Sequence, residues 1–247
     1  MSISRRLTQL KKGLVLLRHP LFRHGLRHGV GASIEHCAAL APLKLKTVID
    51  IGANVGQFTL LIRALFPQAH IVAFEPLARP ANKYRKLFAA DKVVTFYQAA
   101  IAPTSEQRRM HVSRRDDSSS LLPISSRQVE FAPGTETVRM EKVDLAPLSH
   151  FISVNEIVRP ALLKLDVQGF ELEALKASET LLSQFDYIYV EVSFVPLYEG
   201  QVLAHELIDW LAERSFLIEG AGNPAYGNDK RIVQLDLLFR NSAANAA

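Results

Sequence analysis

A short stretch with two glycines, VIDIGANVG at residues 48–56, constrains the fold of this chain more than any other feature. Its apolar residues predict a buried strand at residues 47–51. The apolar residues that follow recur at the spacing of one helix face: Phe58, Leu61, Ile62 and Leu65. Glycine lets the chain turn sharply between a strand and a helix, and lets a ligand approach the backbone closely. The first N–H groups of the helix then offer a site for a polar or anionic ligand.

The spacing of the glycines indicates which ligand the turn suits. A dinucleotide-binding turn requires G-x-G-x-x-G, and here Asn54 stands two residues after Gly52, where that fingerprint needs its second glycine. The pattern from Asp50 to Gly56 is D-x-G-x-x-x-G instead, which resembles the first motif of S-adenosylmethionine-dependent methyltransferases. An ordinary strand-to-helix turn without a ligand can have the same spacing, so this motif alone leaves both interpretations open.

Strand and helix patterns alternate through the rest of the chain, which predicts a parallel sheet covered by helices on both faces. Further strands are predicted at residues 70–74, 92–97, 138–145, 161–165, 187–193, 216–219 and 231–240. Helices are predicted near residues 80–90, 148–156, 172–182 and 202–214. Residues 220–230 contain no helical pattern, so the last two strands must pair antiparallel. The polar residues 103–135 are expected to form a loop or irregular hairpin that is partly packed.

The N-terminal part of the chain differs from the rest in charge. Residues 1–46 hold nine Lys or Arg residues against one acid, Glu35, which leaves a net charge of −4 on the other 201 residues. A helix is predicted before Pro20, with its apolar residues roughly on one side: Leu7, Leu10, Leu14 and Leu17. We therefore divide the chain into a basic N-terminal helical extension, residues 1–41, and a main domain, residues 42–247. The extension either contacts an anionic phospholipid surface or a phosphorylated carrier, or only covers the domain as a solvated arm.

Cysteine usage and hydropathy bear on localisation. The single cysteine, Cys37, rules out an internal disulfide and any zinc site built from several cysteines, which suits a reducing cytoplasm. No apolar run reaches the roughly 18 residues that a membrane span needs. The apolar core at residues 14–17 is too short for a signal peptide. We expect a cytoplasmic protein, with membrane association through the basic extension as an additional option.

Four acidic residues lie at the predicted carboxyl ends of parallel strands: Asp50, Glu75, Asp166 and Glu191. In an open α/β sheet these strand ends form the ligand-binding crevice. Glu75 follows the second strand about 20 residues after the glycine turn, the offset at which an acid accepts hydrogen bonds from ribose hydroxyls. Ala100, after the third strand, is expected beside the adenine edge. A solvated strand end explains any one of these acids, but four arriving independently at one crevice indicate a site.

Six stretches of the chain, in this order, resemble the FkbM-type family of S-adenosylmethionine-dependent O-methyltransferases: VIDIGANVGQFT, AFEP, SSSL, LLKLDVQGFELEALK, YVEVSFVPLYEG and VQLDLLF. The resemblance runs from Lys46 to Arg240 and leaves residues 1–40 outside. It implies a class I methyltransferase fold, a Rossmann-like α/β sheet that is mostly parallel with an antiparallel C-terminal hairpin. It also implies S-adenosyl-L-methionine as the cofactor, and methylation of a hydroxyl on a sugar, glycolipid, glycan or natural-product acceptor.

The resemblance implies roles for the matching residues. Those expected around the methionine end of the cofactor are Asp50, Gly52, Asn54 and Gly56, with Glu75 on the ribose. Asp166 would be the catalytic base, with Glu191 as a second catalytic residue and Gln168 nearby. A carboxylate suits this step because it accepts the hydroxyl proton and its charge complements the cationic sulfonium. A helix N-cap is the alternative role for Asp166. No metal site is predicted, since two carboxylates do not by themselves establish one for Mg²⁺.

Two other classes of protein use the same kind of crevice. One is an enzyme that binds NAD or a nucleotide sugar, against which Asn54 and the antiparallel ending argue. The other is a non-catalytic binding domain, in which the basic extension would be the functional part. The partner that the sequence favours is a small-molecule, glycan or glycolipid acceptor, and a nucleic-acid partner is not expected.

Overall fold

The computed structural model describes residues 17–245 of the 247-residue chain. The strands of its larger sheet are β1 (Thr47–Ile51), β2 (His70–Phe74), β3 (Val94–Tyr97), β7 (Ala161–Leu165), β8 (Tyr187–Ser193), β9 (Phe216–Tyr226) and β10 (Ile232–Asn241). A smaller sheet contains β4 (Ala100–Ile101), β5 (Glu106–Ser113) and β6 (Thr137–Ala146). The larger sheet has the order β3-β2-β1-β7-β8-β10-β9, and the smaller one has the order β4-β6-β5.

The α-helices that the structure describes are α1 (Pro20–Arg27), α2 (Cys37–Leu40), α3 (Gln57–Leu65), α4 (Ala78–Leu87), α5 (Ser126–Phe131), α6 (Glu171–Lys176) and α7 (Ala204–Ala212). On one face of the larger sheet, Ile49, Leu163 and Ile188 belong to a buried cluster with residues of α6 and α7. On the other face, Val48 and Leu162 belong to a cluster with residues of α1, α2 and α3. The larger sheet is therefore covered on both faces, as the alternating sequence pattern predicted.

Strands β3, β2, β1, β7 and β8 run parallel, whereas β10 is antiparallel to both β8 and β9. Every residue of β1 and β7, the central pair, is buried, as is usual for parallel strands covered on both faces. This topology confirms the predicted class I methyltransferase fold, including its antiparallel C-terminal hairpin. It also places the ends of β1, β2 and β7 side by side at one edge of the sheet.

Two predicted helices are wrong in extent. Residues 148–156 form two separate 3₁₀ turns, Leu148–His150 and Val154–Glu156. Ser153 starts the second turn, because its backbone N–H and its hydroxyl both donate to Glu156 Oε2 at 2.8 Å. The helix expected at 172–182 stops at Lys176, where Ser178 Oγ donates to the carbonyl of Ala174 at 2.8 Å, and a 3₁₀ segment follows. Such a bond back to the preceding turn interrupts regular helix geometry.

Two connecting regions are more regular than predicted. Strand β5 and helix α5 lie within residues 103–135, and β5 pairs antiparallel with β6. The first four residues of β5, from Glu106 to Arg109, are all exposed, so both faces of this end of the strand meet solvent. Strand β9 continues to Tyr226, so much of the predicted connection 220–230 is strand.

The described part of the N-terminal extension packs on the sheet. Phe22, Val30 and Leu40 are buried in the same cluster as Val48 of β1. The predicted helical residues Leu7, Leu10 and Leu14 lie outside the described residues. The division of the chain at residue 41 remains a prediction. Within residues 17–245, no helix has the length and apolar character that crossing a membrane requires.

Candidate active site

A cavity of about 750 Å³ lies at the carboxyl ends of β1, β2 and β7 and beside β8. Six of the eight predicted site residues line it: Gly52, Asn54, Glu75, Ala100, Asp166 and Glu191. The other two, Asp50 and Gly56, are buried and do not line it. Gln168 lines it as well. The structure therefore brings together residues that are far apart in the sequence, as the strand-end argument predicted.

The two glycines of the first motif allow close packing. Gly52 has φ +82°, and a Cβ there would lie 1.9 Å from the carbonyl oxygen of Asp166. Gly56 has φ +96°, and a Cβ there would lie 2.6 Å from the ring of Phe88. Both positions combine a left-handed conformation with a neighbour that excludes any side chain. Gly52 thus lets the turn after β1 approach the end of β7.

Asp50 supports the turn from within the core. Its Oδ1 forms an ion pair with Lys164 Nζ at 2.9 Å, and its Oδ2 accepts from Thr59 Oγ1 at 3.0 Å. Lys164 Nζ also donates to the carbonyl of Gly52 at 2.9 Å. Burial alone would lower the pKa of Lys164, but the charges of Asp50 and Asp166 raise it overall. Lys164 was not among the predicted site residues, although its place opposite Asp50 follows once β1 and β7 are paired.

Glu75 presents a carboxylate that the backbone holds in place. Asn54 N donates to its Oε2 at 3.0 Å, and Leu77 N donates to its Oε1 at 2.8 Å. Burial raises its pKa to about 7, although the two backbone hydrogen bonds lower it. Asn54 has φ +48°, a left-handed conformation that asparagine tolerates better than most residues. The turn after β1 and the end of β2 are therefore joined through this carboxylate.

Asp166 and Glu191 are bridged by one amide. Gln168 Nε2 donates to Asp166 Oδ1 at 2.7 Å and to Glu191 Oε2 at 3.3 Å. Gln234 Nε2 also donates to Glu191 Oε2, at 2.9 Å. Burial and then the negative charge of Asp166 raise the pKa of Glu191 well above its ordinary value. Glu191 lies inside β8 rather than at its end, but the β7–β8 register of Leu165 with Val190 places the next residues, Asp166 and Glu191, level with each other.

The orientation of Gln168 is fixed by Tyr198, which was not among the predicted site residues. Tyr198 is fully buried, and its hydroxyl lies 2.7 Å from Gln168 Oε1. Because carboxylates only accept hydrogen bonds, the NH₂ group of the amide must face Asp166. Oε1 therefore faces Tyr198, which donates to it. The hydroxyl of Ser120, from the SSSL stretch, donates to the Gln168 carbonyl at 2.7 Å.

The start of helix α6 excludes the alternative role of Asp166 as a helix N-cap. The helix α6 begins at Glu171, and its N-cap is Phe170, so Asp166 does not cap it. Glu171 Oε1 instead accepts from the backbone N–H groups of Val167 and Gly169, both at 3.1 Å. Burial raises the pKa of Glu171 to about 7. This carboxyl group holds the loop that carries Asp166 and Gln168.

A further wall of the cavity comes from the region predicted as a loop or irregular hairpin. It contributes Arg115, Asp117, Ser118, Ser119 and Leu121, and its helix α5 contributes Gln128 and Phe131. Arg115 is paired with Asp117 at 3.1 Å. Among residues 17–245, no group of three or more His, Cys, Asp or Glu side chains is arranged to hold a metal ion.

The fold and the crevice together define a class I methyltransferase. The family model described as the methyltransferase FkbM domain matches residues 50–218, which is more than half of the chain. The chain belongs to this family, and it is an S-adenosylmethionine-dependent methyltransferase.

Two curated relatives support this assignment. The chain is 26% identical over 244 residues to the 2-O-methyltransferase NoeI of Sinorhizobium fredii (strain NBRC 101917 / NGR234), with 94% of this chain and 97% of the relative covered. It is 27% identical over 156 residues to Methyltransferase 1 of Beauveria bassiana (strain ARSEF 2860), with 58% of this chain and 63% of the relative covered.

The residues of the cavity fit S-adenosylmethionine. The carboxylate of Glu75 is fixed by two backbone N–H groups and lines the cavity, so its remaining lone pairs are available to hydroxyl donors such as those of a ribose. Ala99, Ala100 and Ile101, which follow β3 in the chain, add an apolar wall, which suits a flat base. Asp166 and Glu191 line the same cavity, and a carboxylate there would attract the cationic sulfonium of this cofactor.

Proposed function

We propose that this protein transfers a methyl group from S-adenosylmethionine to a hydroxyl of a sugar, glycolipid, glycan or natural-product acceptor. The observation that carries the proposal is the pair of carboxyl groups, Asp166 and Glu191, held by the single amide of Gln168. A hydroxyl must lose its proton when it is methylated, so a positioned proton acceptor is needed. The relationship to a 2-O-methyltransferase over almost its whole length supports oxygen as the methylated atom.

In the cofactor half of the cavity, Glu75 accepts hydrogen bonds from the ribose hydroxyls, and Ala100 lies beside the adenine. Gly52 and Asn54 border the methionine end, while Asp50 and Gly56 act behind them by holding the turn. The bound cofactor supplies a methyl group that its cationic sulfonium has already activated. The chain therefore needs to hold the acceptor hydroxyl in line with that methyl group and to remove its proton.

In the acceptor half, Asp166 accepts the proton of the acceptor hydroxyl, and Glu191 hydrogen-bonds the same hydroxyl. The raised pKa of Glu191 means that it holds its own proton more tightly than an ordinary carboxyl group. That difference makes Asp166 the first choice as the base. Gln168 fixes the separation of the two groups because its amide donates to both.

Two measurements test this proposal. S-adenosylhomocysteine should raise the thermal unfolding temperature, whereas NAD should not. With methyl-labelled S-adenosylmethionine, a panel of methyl glycosides of neutral sugars should yield labelled methyl ethers. A protein that is indifferent to S-adenosylhomocysteine would contradict the cofactor assignment, and label found only on nitrogen or carbon acceptors would contradict O-methylation. Stabilisation by NAD would favour the dinucleotide alternative, and cofactor binding without transfer to any acceptor would favour a non-catalytic domain.

We also propose that the basic N-terminal part of the chain, residues 1–46, brings the protein to an anionic lipid surface or a lipid-linked acceptor. Its basic residues within the described part are all exposed: Arg18, Arg23, Arg27, Lys44 and Lys46. Each contributes about 1 kcal/mol near an anionic surface, and salt weakens the effect. Vesicles containing phosphatidylserine should therefore retain the protein at low salt and release it at high salt. Reversing the charges of Arg23 and Arg27 should weaken retention, and binding that salt does not affect would contradict the proposal.

A further inference from the structure

His36 lines the cavity from the segment just before α2, and no predicted site includes it. Its Nδ1 lies 3.1 Å from Oδ2 of Asp236 on β10, and one-fifth of its side chain (20%) is exposed. The imidazole packs edge-on against the rings of Phe58 and Tyr189, with centroid separations of 5.7 and 5.6 Å. Two ring contacts and a buried carboxylate therefore hold the imidazole in one orientation.

The surroundings of Asp236 determine which nitrogen carries the proton. Oδ2 of Asp236 also accepts from the Tyr189 hydroxyl at 3.1 Å and from Asn223 Nδ2 at 2.7 Å. Burial would raise the pKa of Asp236, but the hydrogen bonds that it accepts from His36, Asn223 and Tyr189 lower it overall. A carboxylate beside Nδ1 requires an N–H there, so in the neutral imidazole Nε2 is a hydrogen-bond acceptor. The described polar groups around His36 all lie beside Nδ1: Asp236 Oδ2 at 3.1 Å, Tyr189 Oη at 3.0 Å and Asn223 Nδ2 at 2.9 Å. With the proton on Nδ1, the two oxygens can accept it, and the amide of Asn223 donates to Asp236 rather than to the ring. No described residue forms a hydrogen bond with Nε2, which leaves Nε2 for a ligand.

The network around His36 borders the proposed reaction centre. Asp236 pairs with Glu191 in the β8–β10 register, and side chains opposite each other on neighbouring strands are about 5 Å apart at Cβ. Gln234, two residues before Asp236, donates to Glu191. His36, Asn223 and Asp236 all lie outside residues 50–218, the part that the family model matches. Their position suits residues that select the acceptor better than residues that serve the chemistry common to the family.

We infer that His36 is an acceptor-binding residue whose Nε2 accepts a hydrogen bond from a second hydroxyl, on the carbon next to the methylated one. This inference rests on the proposed function and narrows the acceptor to a vicinal diol, the arrangement found in sugars. The Nε2 lone pair and the neighbouring carboxyl groups disfavour a carboxylate or phosphate at that position, because like charges repel.

Two substitutions separate ligand binding from support of the fold. His36→Asn keeps an amide N–H near the position of Nδ1, facing Asp236, and removes Nε2. His36→Gln places its amide near Nε2 and removes the bond to Asp236. With a methyl glycoside that the wild type methylates, His36→Asn should raise the acceptor KM about tenfold. It should leave the unfolding temperature and the affinity for S-adenosylhomocysteine unchanged, and His36→Gln should lower the unfolding temperature but partly restore KM.

A deoxy sugar completes the test. The same glycoside without the neighbouring hydroxyl should raise the wild-type KM by the same factor, and His36→Asn should cause no further loss with it. If the deoxy glycoside and His36→Asn raised KM independently, so that their effects added, the inference would be overturned. A normal KM in His36→Asn, together with a lowered unfolding temperature in His36→Gln, would also overturn it, because His36 would then only support the fold. A fall in kcat at constant KM would also overturn it, and would make His36 the proton acceptor in place of Asp166.

The tautomer of His36 can be measured without turnover. In protein labelled with ¹⁵N-histidine, the His36 signals are those missing from the spectrum of His36→Asn. At a pH where the ring is neutral, they should show the proton on Nδ1, and a proton on Nε2 would overturn the inference. Failure to methylate any glycoside, together with the expected tautomer, would instead count against the proposed acceptor class alone.

Discussion

Asp50 and Lys164 form a buried ion pair across the two central strands, with Nζ 2.9 Å from Oδ1. They are partners in the register of β1 with β7, and neither side chain is more than 8% exposed. Because Lys164 also donates to the carbonyl of Gly52, the pair fixes the backbone of the glycine turn. In this structure the first acid of the sequence motif thus supports the cofactor-binding turn from the core.

Removing one partner of this pair should be far more damaging than removing both charges. Lys164→Met leaves a buried carboxylate without a counter-charge, and we expect it to lower the free energy of unfolding by about 3–5 kcal/mol. The double variant Asp50→Asn/Lys164→Met removes both charges of the pair, so neither is left without its partner, and it should lose less than Lys164→Met alone. Urea unfolding of the two single variants and the double variant gives the coupling energy. If the double variant lost as much free energy of unfolding as Lys164→Met, or more, the loss in Lys164→Met would not come from the unpaired charge of Asp50.

The turn after β1 should not accept any side chain at Gly52. A Cβ there would lie 1.9 Å from a backbone oxygen and adopt φ +82°, so Gly52→Ala should cost about 3 kcal/mol or more and abolish cofactor binding. Gly200 provides the matched control, since it has φ +76° but no atom within 4 Å of the point that a Cβ would occupy. Gly200→Ala should cost only the conformational penalty, about 1–2 kcal/mol. Thermal unfolding of both variants measures these losses of stability. If they were similar, the close approach of Gly52 to Asp166 would not be the reason why Gly52 is needed.

The strands that carry the site could be predicted because each is a short apolar run next to a glycine or an acid. The predicted bounds of β1, β2, β7 and β8 agree with the structure. The helix expected at 148–156 is interrupted at Ser153, whose backbone N–H and hydroxyl donate to Glu156 and start a new turn. The apolar pattern on which the prediction rested does not show this interruption. The length of β9 depends on pairing with β10, which the local sequence of Gly220–Tyr226 does not reveal.

The site was predictable where a residue lies at a strand end and was missed where its role depends on packing between distant segments. Glu75 and Asp166 follow their strands directly, so their place in the crevice followed from topology. Tyr198 orients Gln168 from a loop after β8, and His36 reaches the cavity from the N-terminal segment. Tyr198 lies within the stretch YVEVSFVPLYEG, but that stretch does not show what its hydroxyl contacts, and His36 lies outside every stretch that resembles the family. Only the folded arrangement brings the two residues to the site.

Cofactor affinity should depend on the ionisation of Glu75. Its pKa is raised to about 7. The ionised carboxylate is the form that can accept hydrogen bonds from both ribose hydroxyls. The affinity for S-adenosylhomocysteine should therefore fall as the pH drops through 7, by about tenfold between about pH 8 and about pH 6. Calorimetry should also detect proton release on binding near neutral pH. Glu75→Gln should bind more weakly, by about 1–3 kcal/mol, and lose most of this pH dependence. The same pH profile in Glu75→Gln would assign the effect to another group.

The choice between Asp166 and Glu191 as the proton acceptor is open to a direct kinetic test. Asp166→Asn keeps the shape of the side chain and removes its capacity to take the proton, so kcat should fall by about 10²–10⁴-fold. Affinity for S-adenosylmethionine should change little, since Glu75 and the turn after β1 remain intact. Glu191→Gln should lose less, because the carboxyl group of Glu191 already tends to hold its proton. The measurement is single-turnover methylation of an accepted methyl glycoside by each variant. Near-normal turnover by Asp166→Asn would remove Asp166 from this role, and a larger loss in Glu191→Gln would assign the role to Glu191.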